Sequence, residues 1–325
     1  MTYRPRLDVP VLLGPDFPLP VTQPFTARQA TDAGVSRHVV GRLVQEGLVR
    51  RILRGVYVAA QVREDLLLRA RALALVVPPD AAVTDWSACW LHSGVLPPGG
   101  HLEVPPVSVF RSPGRGRLRN GISLSGERSF AKQDLTRVEE LLVTTPVRTA
   151  WDLGRLATRD WALAGMDALL RGGGFDLPEL VGGVERFRRQ RGVVQLRKLA
   201  PLADGRSESP GESVLRLRWL DLADLPAPEP QVSITGAAGR EIYRIDLGVE
   251  ELRFGVEYDG VEHHTSDADR AHDLRRRYDL AVRRNWTVLP VTRENVFGSG
   301  RDVERILYEG VRRARLDLGR LRSSA

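Results

Sequence analysis

Residues 242–259, IYRIDLGVEELRFGVEYD, carry Asp246 and Glu257 on two apolar runs that flank Glu250 and Glu251. The alternation predicts a β-hairpin with Glu250 and Glu251 as a two-residue turn, so that Ile245 faces Val256 and Leu247 faces Phe254 on one side. The other side then collects Arg244, Asp246, Gly255, Glu257 and Asp259. In that register Gly255 lies opposite Asp246 and leaves space, and Glu257 sits on the diagonal, near enough to share a cation. Carboxylates on a mostly apolar hairpin are costly unless positive charge sits among them. Their hard oxygens suit Mg²⁺, with Mn²⁺ as the alternative. An ion of that kind supplies Lewis-acid charge and an activated water. His263 and His264 follow the second run and are acids or bases near neutral pH. Arg270 and Arg275 come next and are suited to hold a phosphate.

Asp246, ten intervening residues and then Glu257-Tyr258-Asp259 resemble the core of PD-(D/E)XK nucleases. The longer pattern SESPGESVLRLRWL, YRIDLGV, FGVEYDGVEHH and DADRAHDLRRRYDLAVRRNWTVLPVT resembles the DUF559 family, related to the very-short-patch-repair (Vsr) endonucleases. This resemblance covers roughly residues 205–298 and is most specific at 257–264. It implies a restriction-endonuclease-like core with a mixed sheet flanked by helices. It implies Asp246 as the main ligand of Mg²⁺ or Mn²⁺ and Glu257 as the second. Asp259 with His263 or His264 would orient or activate water, and Glu208 or Glu212 would be the acid of the preceding helix. One position departs: the family's usual Lys is Asp259 here, so another group must supply the positive charge. Near the other end, FTARQATDAGVSRHVVGRLVQEGLVRRILRGVYVAA resembles the winged-helix domain of AbiEi-type antitoxins, carried by Gly34, Ser36, Leu48 and Arg54-Gly55-Val56-Tyr57. Such antitoxins bind DNA upstream of their own operon, which implies double-stranded DNA and a cognate toxin protein as partners.

The elements that must position these groups are readable from pattern. A short helix over 25–33, a turn at Gly34, a helix capped by Ser36 and ended by Gly47, and strands at 48–53 and 56–59 give the winged helix-turn-helix order. Val35, Val39, Val40, Leu43 and Val44 form the buried face of the second helix. Arg37, His38, Arg42 and Gln45 point outward, where phosphates or base edges of a major groove would lie. Arg50, Arg51 and Arg54 crowd the wing. Further on, helices are expected over 64–77 and up to His92, strands at 102–104, 107–110, 121–125 and 141–144, and a helix opened by Thr145-Pro146. His92 and His101 have no partner at a recognisable spacing, and Trp86, Trp90, Trp151 and Trp161 sit among helical apolar residues as core. Ser209-Pro210-Gly211-Glu212 is a capping box, so Glu212 is either a cap or a site acid. A strand at 231–235, the acidic hairpin, a long helix over 266–284, a strand at 286–292 and a helix over 302–318 complete the chain.

At 325 residues the chain is long enough for two or three domains. We expect an α/β (α+β) multidomain protein: a Pro-rich lead-in at 1–22, a winged helix-turn-helix at 23–62, a mixed α/β middle at 63–204 and the nuclease-like domain at 205–325. The single Cys89 excludes a disulfide framework or a cysteine zinc site. No apolar run reaches membrane-spanning length and MTYRPRLDVP is no signal peptide, so the expectation is cytoplasmic. The net charge is +7, with +8 over residues 1–204 and −1 over 205–325, so the basic excess precedes the acidic hairpin and points to a polyanion. Two readings follow. The first is a DNA-binding, Mg²⁺-dependent endonuclease; the second is a non-enzymatic antitoxin or transcriptional repressor whose C-terminal nuclease-like fold is inactive.

Overall fold

The computed structural model describes residues 12–14, 16–96, 106–119, 123–236, 239–259, 275–276 and 278–323. The fold is α+β, with three sheets among the described residues. It divides into two units, Met1–Asp152 and Leu153–Ala325.

In the first unit, β1 (Phe25–Thr26) pairs with β3 (Val56–Ala59), so the helix expected over 25–33 starts later, as α1 (Ala27–Asp32). The reason is local. Thr26 forms a capping box with Gln29, and Phe25 is drawn into the core beside Tyr57. Gly34, at φ +85°, makes the turn to α2 (Arg37–Gln45), where the Ser36 hydroxyl accepts the Val39 amide at 3.3 Å. β2 (Val49–Leu53) and β3 form the expected wing hairpin around Gly55 at φ +79°. The helices close over Phe25, Ala30, Val35, Val40 and Val49.

The wing has a second buried side. Ile52, Leu53, Val56 and Val58 belong to the core beneath α3 (Leu66–Ala74) and α4 (Asp85–Ser93). That core lies against a sheet of β4 (Ala82–Val83), β5 (Val107–Arg111), β6 (Ser123–Glu127), β7 (Leu135–Val138) and β8 (Leu141–Thr144), in the order β6-β5-β4-β8-β7. β5, β6 and β8 correspond to expected strands, and the one at 102–104 lies outside the described residues. β4 and β7 were not expected; β4, with two residues, carries no alternation to detect. α5 (Pro146–Leu156) starts at its expected proline.

The second unit begins with α6 (Arg159–Arg171), α7 (Leu177–Gly182) and α8 (Val193–Leu199), and then enters α9 (Pro210–Leu220). Residues 211–219 of α9 are all buried, Arg216 and Arg218 included. On one side α6 covers it: Arg216 pairs with Asp167 at 2.7 Å, and Arg218 with Asp160. On the other, Val214, Leu215 and Trp219 pack on a sheet of β9 (Glu229–Thr235), β10 (Glu241–Val249), β11 (Phe254–Asp259) and β12 (Thr287–Thr292). Its order is β12-β11-β10-β9, with β9, β10 and β11 antiparallel in turn and β12 parallel to β11. The closing helix α10 (Val303–Ser323) adds Val303, Leu307, Val311 and Ala314 to the same core. Most of the helix expected over 266–284 lies outside the described residues; its end includes Arg276 and a π-turn at Asp279–Arg283.

Candidate active site and nucleic-acid interface

The acidic hairpin forms, in a different register. Glu250–Leu252 is a 3₁₀ turn closed by Arg253 in the left-handed region, so the loop is longer than two residues. The pairs are Leu247 with Val256, Gly248 with Gly255 and Val249 with Phe254. This is two residues from the expected pairing, a shift that preserves side-chain parity. Gly255 therefore faces Gly248 and opens no space beside Asp246: a Cβ there would meet Ile245 Cγ2 at 2.6 Å. Ile245 also leaves the expected apolar row. It packs with Val232, Ile234, Leu280 and Trp286, whereas Leu247 and Val249 pack with Val214, Leu215 and Trp219 of α9. The exchange of faces falls at Asp246, beside the left-handed backbone of Gln231 at φ +55°.

That irregular position aims Asp246 into a pocket of about 310 Å³ lined by Arg244, Asp246, Glu257, Tyr258, Asp259, Arg276 and Pro290. Asp246 lies one residue beyond the last paired position of β10 and β11, Leu247 with Val256. Asp246 Oδ2 accepts the Tyr258 amide at 2.8 Å. Burial, and then the charges of Glu212 and Glu257, push its carboxyl up to about 6, against the pull of that amide and of Arg276. Glu212 stands at the start of α9, held close to the sheet because Gly211 packs on Tyr258: a Cβ on Gly211 would lie 2.0 Å from the ring. Its amide donates to Ser209 Oγ at 3.1 Å, and its own Oε2 accepts the Glu208 amide and Gln231 Nε2, each at 2.9 Å. Glu212 thus orders the entry to the helix and also presses its charge on Asp246.

Glu257 is held by Arg276, whose Nη1 donates to Oε2 at 2.8 Å and whose Nη2 donates to Oε1. Sequence reading pointed to Arg270 and Arg275 as the cations of the following helix. Among the described residues Arg276, the middle of three consecutive arginines, enters the pocket, and adjacency alone does not tell which of them faces inward. Arg275 is exposed, and Arg270, His263 and His264 lie outside the described residues. Asp259 lines the pocket rim and is exposed. The donor set is of a kind that fits a hard divalent cation: Asp246 and Glu257 supply carboxylate oxygens, and the raised Asp246 carboxyl is one that positive charge would relieve. Glu257 would have to exchange Arg276 for that ion. Among the described residues no group of three His, Cys, Asp or Glu is arranged to hold a metal.

In the winged helix, Arg37, His38 and Arg42 are exposed along α2, opposite the buried Val40. Arg42 lies 3.8 Å from Glu46 in an open i,i+4 pair, too weak to hold it from a phosphate. Arg51 and Arg54 are exposed on the wing, and Arg51 sits 5.9 Å from the Tyr57 ring. Arg50 is no part of that surface, because it bonds Glu64 at 3.3 Å and the Val62 carbonyl at 3.2 Å.

The first unit also holds a buried chain of charges that spacing did not disclose. Arg128 joins Asp85 at 2.7 Å to Asp152 at 3.1 Å, and Arg148 joins Asp152 at 2.9 Å to Asp134 at 2.5 Å. These residues come from four separate segments, which no local pattern can connect. They tie the ends of β6 and β7 to α4 and α5. His92 Nε2 lies 2.8 Å from the Thr144 carbonyl and burial pushes its pKa down, the behaviour of a structural neutral histidine.

Comparison with known proteins bears on both ends of the molecule. Residues 23–60 match the family model described as "Transcriptional regulator, AbiEi antitoxin". Uncharacterized protein Rv2248 of Mycobacterium tuberculosis (strain ATCC 25618 / H37Rv) is 33% identical over 253 residues, which is 78% of this chain and 89% of the relative. Uncharacterized protein MT2308 of Mycobacterium tuberculosis (strain CDC 1551 / Oshkosh) gives the same 33% identity over the same coverage. Among the described residues no helix is long and apolar enough to cross a membrane. The chain belongs to the family of these two mycobacterial proteins, and its N-terminal winged helix is the part that matches an AbiEi-antitoxin transcriptional regulator.

Proposed function

We propose that this protein binds double-stranded DNA through its winged helix and hydrolyses a DNA phosphodiester bond, with Mg²⁺ or Mn²⁺, in the pocket around Asp246 and Glu257. The observation that carries the hydrolytic part is the half-buried Asp246, which lines a polar pocket with Glu257 and Arg276, its carboxyl raised to about 6 by burial and by Glu212 and Glu257. Helix α9, three antiparallel strands, a parallel strand and a closing helix support the likeness to a DUF559 or Vsr-like nuclease domain. Asp246 and Glu257 would hold the ion, which supplies Lewis-acid charge on the phosphate and an activated water. Asp246 is fixed for this role by the Tyr258 amide. Glu212 holds the first turn of α9 against it. Arg276 supplies, from the neighbouring helix, the cation that Asp259 cannot, and a guanidinium there would pair with a phosphate oxygen once released from Glu257. Arg37, His38, Arg42, Arg51 and Arg54 place the chain on the duplex, with a cognate toxin as the expected protein partner.

A second reading rests on a specific contact. Arg276 occupies both oxygens of Glu257, and the family's Lys position is Asp259, so the same fold would serve an antitoxin-type repressor that binds without cutting. Purified protein incubated with plasmid and linear duplex in Mg²⁺ or Mn²⁺ separates the two. Nicking that disappears with chelator and in Asp246→Ala supports hydrolysis. Sequence-specific binding with no cleavage in either metal, or cleavage untouched by Asp246→Ala, rejects it.

A further inference from the structure

Between Glu185 and Asp204 the chain contains no carboxylate and six cations: Arg186, Arg188, Arg189, Arg191, Arg197 and Lys198. All six are exposed, in the second unit, around the loop that joins α7 to α8. Arg197 is answered by Glu185 at 2.8 Å. Arg188 shares the charge of that carboxylate, and among the described residues Arg189, Arg191 and Lys198 make no ion pair. Solvated faces ordinarily mix both signs, which relieves repulsion; this one sets six cations around the one carboxylate of Glu185.

The loop is also built from beneath. Arg155, 8% exposed, lies over the Phe187 ring at 4.3 Å and donates from Nη1 to Gln190 Oε1 and to the Arg191 carbonyl, each at 3.2 Å. Gly192, at φ +77°, lets the chain pass so close that a Cβ would lie 1.9 Å from the Arg155 carbonyl oxygen. The Arg188 amide donates to the Glu185 carbonyl at 3.1 Å and the Gln190 amide to the Phe187 carbonyl at 2.9 Å. A buried arginine and a glycine passage therefore hold a short loop rigid while its own arginines point to solvent. Ordering the backbone in advance lowers the entropy lost on binding, and closely spaced guanidiniums in excess over acids match the regular charge of a phosphate backbone.

We infer that the loop around Arg188, Arg189 and Arg191, with Lys198 beside it, is a second DNA-binding surface that grips duplex phosphates without reading sequence. It rests on duplex DNA being the chain's partner but is independent of the winged helix, because it lies in the other unit. The test is equilibrium binding of the full chain to two fluorescent duplexes of unrelated sequence, over a salt series, by anisotropy. Exchanging Arg188, Arg189 and Arg191 together for Gln flattens the plot of log K against log salt by about 2.7, since each duplex phosphate contact contributes about 0.9. Between 50 and 200 mM salt the parent then loses about 40-fold more affinity than the variant. The change is equal on both duplexes. Should the triple variant melt below the parent, each single Gln exchange reads the same effect as a slope change of about 0.9. An unchanged slope in a variant that melts like the parent overturns the inference. So does a change confined to one duplex, or loss of binding to phosphatidylserine vesicles with DNA binding intact. Arg37→Ala and Arg42→Ala in parallel keep the two readings apart. A response there with none in the loop leaves only the winged helix, and the reverse leaves only the loop.

Discussion

The Asp246 carboxyl titrates near pH 6 because burial first, and Glu212 and Glu257 next, disfavour its charge. In the unfolded chain an Asp titrates near about 3.9. Between these values the folded state binds more protons than the unfolded, so stability falls as pH rises from about 4 to about 6 and stays lower above it. Asp246→Asn removes the charge and keeps an oxygen for the Tyr258 amide. The variant is more stable than the parent at pH 7.5 by roughly 2 kcal/mol, and the gap narrows at pH 5. Thermal unfolding at both pH values checks this, and a gap that does not depend on pH refutes it. Added Mn²⁺ stabilises the parent and not Asp246→Asn if the ion binds where proposed. Residue chemistry was the most legible scale: Asp246 and Glu257 were identifiable because acids among apolar residues demand an explanation. Arg276 was not, since its choice over Arg275 depends on helix phase.

At the scale of elements, α9 bears on the site through its first turn, where the charge of Glu212 acts on Asp246. It is buried on both sides, and its arginines point at acids of α6, a feature that hides its apolar face from periodicity. Its first turn touches β11 through Gly211. Gly211→Ala places a methyl 2.0 Å from the Tyr258 ring and forces helix and strand apart. We expect a loss of about 1–3 kcal/mol in denaturant unfolding, and recovery of much of it when Tyr258→Ala is combined. An undiminished midpoint in the single variant refutes this close approach. The hairpin register shows the limit of pattern reading. A four-residue loop in place of a two-residue turn moved each pair by two. The left-handed Gln231 then sent Ile245 to the other face, which a strictly alternating strand does not anticipate.

At the scale of the molecule, the winged helix is not a detachable head. Ile52, Leu53, Val56 and Val58 are covered by the core shared with α3, α4 and the five-stranded sheet. A fragment ending at residue 62 leaves those side chains in water, at about 1.5–3 kcal/mol for each large one. It should therefore lack the cooperative unfolding and dispersed amide spectrum of the intact protein; a fragment that folds by itself refutes the shared core. The charge distribution belongs to this scale too, with the basic excess before residue 205 and the acidic pocket after it.

The sequence by itself determined the α+β class, the winged-helix order, the Ser36 cap, and the placing of Asp246 and Glu257 on neighbouring strands. These are set by local forces: capping, turn geometry and side-chain alternation. Tertiary structure alone decided the strand register, the entry of Arg276, the pressure of Glu212 on Asp246, and the Asp–Arg chain running from Asp85 to Asp134. Each of those joins groups far apart in the chain, and the energy that selects them is packing and burial, which no single window of sequence contains.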